Sequence, residues 1–241
     1  MIIALHGFGL GPGSFADVAA ALPRELTAPT IAGHGDQEAK PFDDVVDGIV
    51  SLVRAQRRPP LLWGYSLGAR LALAAALKTP VAGLVLESGT AGLRDAGERR
   101  TRCAIDELRA QDLESLGVDA FFRDWDAQPL FASMSARDDV SARRRGLRAG
   151  HDPKRLAAAL RALSPGQRPS LHAELHRITA PTLLLVGADD ARFIAEARAM
   201  SALPASELVV LPGCGHAPHL EDPRAVCTVI TAFLQRIPQE T

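Results

Sequence analysis

Short apolar runs bounded by glycine or proline alternate with helix-length amphipathic segments through most of this chain. Ile2–Leu5, Leu26–Ile31, Leu61–Gly64, Val81–Glu87, Thr182–Gly187 and Glu207–Leu211 are short and apolar, and read as strands. Helical periodicity falls near residues 15–22, 43–56, 67–77, 192–202 and 222–236, and Ser14 with Asp17 is spaced as a capping box for the first of these. A strict β–α alternation permits few architectures. The strands pair in parallel, right-handed crossovers cover both faces of the sheet, and ligands gather at the carboxyl ends of the strands. A chain of 241 residues suffices for one α/β domain with a full core, here a mainly parallel sheet of about six strands.

Residues 90–170 interrupt the alternation. They are helical in texture, contain no convincing strand, and carry 15 Lys and Arg against 12 Asp and Glu, whereas the rest of the chain is net acidic. A helical insertion of this length after one strand is expected to lie over the strand ends as a lid within a single domain spanning 1–241. The formal net charge of −1 supplies no field for nucleic acid or an anionic membrane. No apolar run approaches the ~20 residues needed to span a bilayer. The opening Met1-Ile2-Ile3-Ala4-Leu5-His6-Gly7 has no basic stretch of the secretory kind. Three cysteines, Cys103, Cys214 and Cys227, form no disulfide framework. The expectation is a cytoplasmic enzyme, monomer or homodimer, acting on a small molecule.

Its chemistry centres on Gly64-Tyr65-Ser66-Leu67-Gly68, which joins the apolar run 61–64 to the helical segment 67–77. A strand-to-helix turn this tight strains its central residue and stands the serine clear of the sheet, with glycines where a Cβ would collide with neighbours. Ser66 then sits at a helix amino terminus, where free N–H groups favour developing negative charge. Partners follow in the order acid, then histidine. The run 182–187 leads into Asp189 and Asp190, of which Asp190 lies further along the loop while Asp189 is placed to cap the next helix; the run 207–211 leads into His216 among glycines. A serine, a base and an acid that fixes the base's tautomer are what nucleophilic or general-base catalysis requires. Oxyanion donors are expected from the N–H groups of Phe8 and Leu67. His6 and the Gly33-His34-Gly35 turn read as loop-shaping. Cys214, His216 and His219 do not have a standard zinc spacing, so no metal is expected. Phe121, Phe122, Trp125 and Phe131 read as an apolar lid core that doubles as a substrate wall.

Taken together, "LHGFG", "GYSLG", "GADD" and "GCGH" resemble the α/β-hydrolase fold over nearly the whole chain. Within it, "GYSLGARLAL", "ESGTAGLRDAGERRTRCAIDELRA", "FFRDWDAQPLF" and "DDARF" resemble the menaquinone-pathway synthases that make 2-succinyl-6-hydroxy-2,4-cyclohexadiene-1-carboxylate, the MenH family. The resemblance implies a cofactor-free elimination of pyruvate from 2-succinyl-5-enolpyruvyl-6-hydroxy-3-cyclohexene-1-carboxylate, with Ser66, His216 and Asp190 acting by base chemistry. It also gives Arg70 a reason: one helical turn below Ser66, its guanidinium suits a polycarboxylate substrate. A structural pair with Glu87 is the competing reading of Arg70. Tyr65, Trp125, Gln128, Arg148 and Arg168 are the further substrate-binding candidates. The chain departs from the family pattern at Ala91, where proline is usual, at Arg168 and His172, where glutamine and tryptophan are expected, and in the absence of the usual amino-terminal strand pair. The rival functions are a serine carboxylesterase or carbon–carbon-bond hydrolase on a small anionic substrate, and a non-catalytic ligand-binding protein of the same fold.

Overall fold

The computed structural model describes residues 1–237. Six strands, β1 (Ile2–Leu5), β2 (Leu26–Thr27), β3 (Leu61–Tyr65), β4 (Gly83–Glu87), β5 (Thr182–Gly187) and β6 (Ser206–Leu211), form a sheet in the order β2-β1-β3-β4-β5-β6, and every pairing among the described residues is parallel. β2 is shorter than the run 26–31 suggests. Pro29 has no N–H to give a ladder, and the N–H of Ile31 donates to His6 Nε2 instead.

The four central strands are buried throughout, and successive side chains pass to opposite faces. On one face Ile3, Leu5, Leu62, Leu84, Leu86 and Leu184 pack against α2 (Phe42–Arg54), α3 (Leu67–Ala76) and α8 (Ala191–Ala199). On the other, Ile2, Ala4, Leu61, Trp63, Val85 and Leu183 meet α1 (Ala16–Ala21) and α10 (Pro223–Arg236). The capping box expected at α1 does not form. Ser14 Oγ turns back to donate to Gly11 O, and Asp17 pairs with Arg143.

Between β4 and β5 the chain is helical. α4 (Ala96–Asp126) is capped by the Asp95 side chain and kinks at Gly117, whose φ of 78° and ψ of 174° leave the helical region; α5 (Ala132–Ser135), α6 (Asp138–Arg148) and α7 (Pro153–Ala162) follow. The insertion has its own small core, in which Leu113, Phe121 and Phe122 pack on Leu156 and Leu160. Phe131 belongs to the core beneath it, and Trp125 bridges the two, so the four aromatics divide between layers. No helix among the described residues is long and apolar enough to cross a membrane.

The strand order fixes where a site can form. The chain leaves β1 for β2 on one side and returns to β3 on the other, so the loops after β1 and β3 diverge and open a crevice between them.

Candidate active site

Ser66 stands in that crevice. It is the residue between β3 and α3, with φ 53° and ψ −106°, a region that L side chains enter only when the surroundings impose it. The imposing contacts are visible. Its N–H donates to Glu87 O at 2.9 Å, and a Cβ on Gly64 would strike the main chain of Gly68 and Ala69, while one on Gly68 would strike the carbonyls of Leu5 and His6.

His216 follows β6 and Asp190 follows β5. His216 Nε2 lies 3.1 Å from Ser66 Oγ, and its Nδ1 lies 2.7 Å from Asp190 Oδ2, with both the histidine and the aspartate buried. A carboxylate at Nδ1 requires the proton there, which leaves Nε2 free to accept the serine hydroxyl. The helix cap expected of Asp189 is made by Asp190 as well: its Oδ1 accepts the Phe193 N–H at 3.1 Å, so one side chain both caps α8 and holds the imidazole. Phe193 and Phe131 face the His216 ring, with centroids 4.5 and 5.7 Å away.

The loop after β1 is held by histidines. His6 Nε2 accepts the Ile31 N–H at 3.0 Å while Nδ1 faces Gly7 O at 2.9 Å, and His34 Nε2 accepts the Gly9 N–H at 3.1 Å. Both rings must be neutral to accept those protons. Burial pushes His6 down to about 4 from an ordinary 6.5, and burial pushes His34 well down too, with His6 and His151 adding to it. Unfolding lets these rings take up protons below pH 6.5 that the native state refuses, so the stability they contribute is full above that value and is lost as pH falls toward 4. For His6 alone, unfolding free energy should be lower at pH 4.5 than at pH 7.5 by ~2.5 kcal/mol. Urea titrations at the two pH values measure it, and His6→Gln should shrink the difference; an undiminished difference would show that His6 does not carry it.

The other expected site residues are distributed as follows. Tyr65 is buried behind the site, its ring 5.5 Å from His216 and 4.7 Å from His219, and burial raises its phenol pKa. Phe8 packs on Trp125 and Phe122. Gln128 donates to Trp125 O and accepts from Arg109, whose guanidinium lies 4.9 Å over the Trp125 ring. Arg148 pairs with Asp126 through a two-pronged bond of 2.5 and 2.9 Å and stacks on Phe122, while its buried Nε has no hydrogen-bond partner among the described residues. Arg168 pairs with Asp43 at 2.5 Å and lies over Phe42.

Arg70 does not pair with Glu87. Glu87 is fully buried and spends one oxygen on Trp63 Nε1 (3.0 Å) and the other on the His219 N–H (2.9 Å) and Nδ1 (2.7 Å). The Arg70 side chain has one hydrogen bond, to Leu163 O at 2.7 Å, and no carboxylate partner among the described residues. Burial brings its pKa down to about 10, with nearby Arg102 pushing the same way and Asp106 opposing. It lines a hollow with Thr90, Ala91, Gly92, Arg168 and Leu171, which does not include Ser66 or His216. Two further arginines went unnoticed in the sequence. Arg102 and Arg109 flank the buried Asp106 at 2.8 and 3.4 Å on one face of α4, a spacing of four and three residues that was legible beforehand.

With its fold and this constellation, the chain belongs to the alpha/beta hydrolase family, which it matches over residues 2–229. Among named relatives, a 2-succinyl-6-hydroxy-2,4-cyclohexadiene-1-carboxylate synthase of Escherichia coli O157:H7 is 36% identical over 85% of this chain and 81% of its own length. A Bacillus subtilis (strain 168) protein given the same name provisionally is 33% identical over 98% of this chain and 90% of its own. The structure is similar to that of MenH from S. aureus, with a TM-score of 0.92, 28% identity, and coverage of 97% and 92% of the two chains.

Proposed function

We propose that this protein is a cofactor-independent carbon–oxygen lyase that eliminates pyruvate from 2-succinyl-5-enolpyruvyl-6-hydroxy-3-cyclohexene-1-carboxylate to give 2-succinyl-6-hydroxy-2,4-cyclohexadiene-1-carboxylate, a step of menaquinone biosynthesis. The observation that carries the reading is the hydrogen-bonded series Ser66–His216–Asp190 beside an arginine without a carboxylate partner among the described residues. Its similarity to synthases of that name supports the substrate. In this mechanism His216, oriented by Asp190, draws the proton from Ser66, and the serine oxygen removes the ring proton at C2, alpha to the ketone of the succinyl group. The freed electron pair forms a C2=C3 double bond, the ring's C3=C4 pair moves to C4=C5, the bond from C5 to the enolpyruvyl oxygen breaks, and the departing enolate takes up a proton to become pyruvate. Charge that develops on the succinyl ketone oxygen meets the N–H groups of Phe8 and Leu67, neither of which donates to another protein group among the described residues. Arg70, with Arg102 nearby, supplies cationic groups for a polycarboxylate.

Pyruvate release on freshly generated substrate, coupled to lactate dehydrogenase, tests the proposal. The expected result is release far above the spontaneous background and dependent on Ser66. A rate equal to background, together with rapid turnover of p-nitrophenyl esters and an acyl-serine adduct in the mass spectrum, would make the protein an esterase. Arg70→Ala should lower kcat/KM by ~10–100-fold, the worth of one charged hydrogen bond. Arg70→Lys should recover only part of it, because an ammonium cannot offer the two-pronged donor face. Unchanged kcat/KM in Arg70→Ala would take the substrate contact away from this residue.

A further inference from the structure

His216 leaves the main chain from a loop with little regular structure. Pro212-Gly213-Cys214-Gly215 precedes it, with Gly213 at a φ of 68°, and only the four-residue helix α9 (Pro218–Glu221) follows. Immediately around the histidine it is held by a second buried carboxylate, outside the hydrogen-bonded series described above. Glu221 Oε2 accepts the N–H of Gly215 at 2.9 Å, and Glu221 Oε1 accepts the N–H of Ala217 at 3.0 Å, so its two oxygens take the amides on either side of the histidine. Glu221 is 6% exposed and its carboxylate has no salt bridge to Lys, Arg or His among the described residues. A buried carboxylate in that condition is costly unless its hydrogen bonds are needed.

We infer that Glu221 is a positioning residue for His216, its carboxylate bracketing the histidine's two flanking amides and thereby setting the direction in which the imidazole projects toward Asp190 and Ser66. The inference deepens the catalytic reading above and rests on it for its kinetic consequence. A carboxylate is the side chain that fits, because both flanking groups are donors. Glutamine offers one acceptor oxygen and turns an NH2 group toward the second amide, and aspartate is one methylene too short to span both. The residue also joins the loop to the helical insertion: Arg137, just before α6, donates to Glu221 O at 2.5 Å, and Ser133 in α5 packs on Gly215. Glu87 fixes the same loop three residues on, through the His219 N–H and ring.

The test compares wild type, Glu221→Gln, Glu221→Asp and Glu221→Ala by steady-state pyruvate release and by proton NMR of the His216 Nδ1–H, a downfield resonance assigned by its loss in His216→Ala. Circular dichroism and Tm establish that each variant is folded, and the glutamine variant keeps the test open if the alanine variant does not fold. Misplacement of a reacting group by about 1 Å costs on the order of 100-fold, so kcat should fall ~10–100-fold with KM within about twofold of wild type. The Nδ1–H resonance should shift or broaden in the same variants. A folded Glu221→Gln with wild-type kcat and an unmoved resonance would overturn the inference. Turnover that survives Ser66→Ala would instead remove the catalytic reading, and the resonance alone would then decide whether Glu221 orients His216.

Discussion

Ser66→Ala and His216→Ala are each expected to lower kcat for pyruvate release by ~10²–10⁴-fold, the usual worth of a positioned general base. The two residues should behave as one unit. Ser66 Oγ and His216 Nε2 share a single hydrogen bond of 3.1 Å, so removing either leaves the other without a function. The double variant should therefore be no slower than the worse single variant within a few-fold, because losses within such a unit do not add. Asp190→Asn tests the third member. Its amide could still cap α8 through oxygen, but it can present an N–H to His216 Nδ1 and favour the tautomer with the proton on Nε2, where it no longer accepts from serine. KM should change little for Ser66→Ala, since the cationic residues proposed to hold the substrate are untouched. Near-normal turnover by Ser66→Ala or His216→Ala would sink the assignment. Loss in His216→Ala alone would make the histidine the direct base and leave the serine a bystander.

Gly68→Ala is expected to abolish folding or to cost more than ~4 kcal/mol, beyond the range of ordinary point substitutions. The added methyl would fall on the carbonyl of Leu5 and within 2.8 Å of His6 O, both main chain, at the place where α3 crosses the end of β1. No rotamer relieves a clash with backbone. Either α3 tilts away from the sheet, opening a contact between two fully buried layers, or β1 shifts and carries the loop after it. Gly48 is the control. It lies mid-helix in α2, a Cβ there meets nothing within 4 Å, and Gly48→Ala should stabilise by up to ~1 kcal/mol through helix propensity. Urea denaturation of the two variants checks the contrast. A Gly68→Ala protein with wild-type stability would show that the helix and strand are not held this closely.

Much of the architecture was legible because its signals are local. The continuous apolar runs of β1, β3, β4 and β5 mark strands buried on both faces, and glycines at 64 and 68 mark a turn only a few residues wide; no distant partner is needed to read either. Glu87 could not be read this way. At the end of β4 it was a natural mate for Arg70, yet its partners are Trp63 and His219, one on the neighbouring strand and one 132 residues away. The pair Asp189 and Asp190 shows the same limit at closer range. Both follow β5, and the turn in which Asp189 N–H donates to Cys214 O and Asp190 N–H to Gly187 O selects which carboxylate faces the histidine. Arg148 and Arg168 read in the sequence as anion contacts, and no spacing announced that the fold also gives them Asp126 and Asp43 as partners. Glu221 carried no signal in its own neighbourhood, because its oxygens answer to main-chain amides rather than to any side chain that could be recognised.

By itself, then, the sequence determined the β–α order, the parallel sheet and the elbow at Ser66, since each follows from periodicity and sterics within a few residues. Only the tertiary structure decided which carboxylate each cation and each histidine meets. A charged group is satisfied by whatever the folded chain brings within ~3 Å of it, and separation along the chain carries no information about that distance.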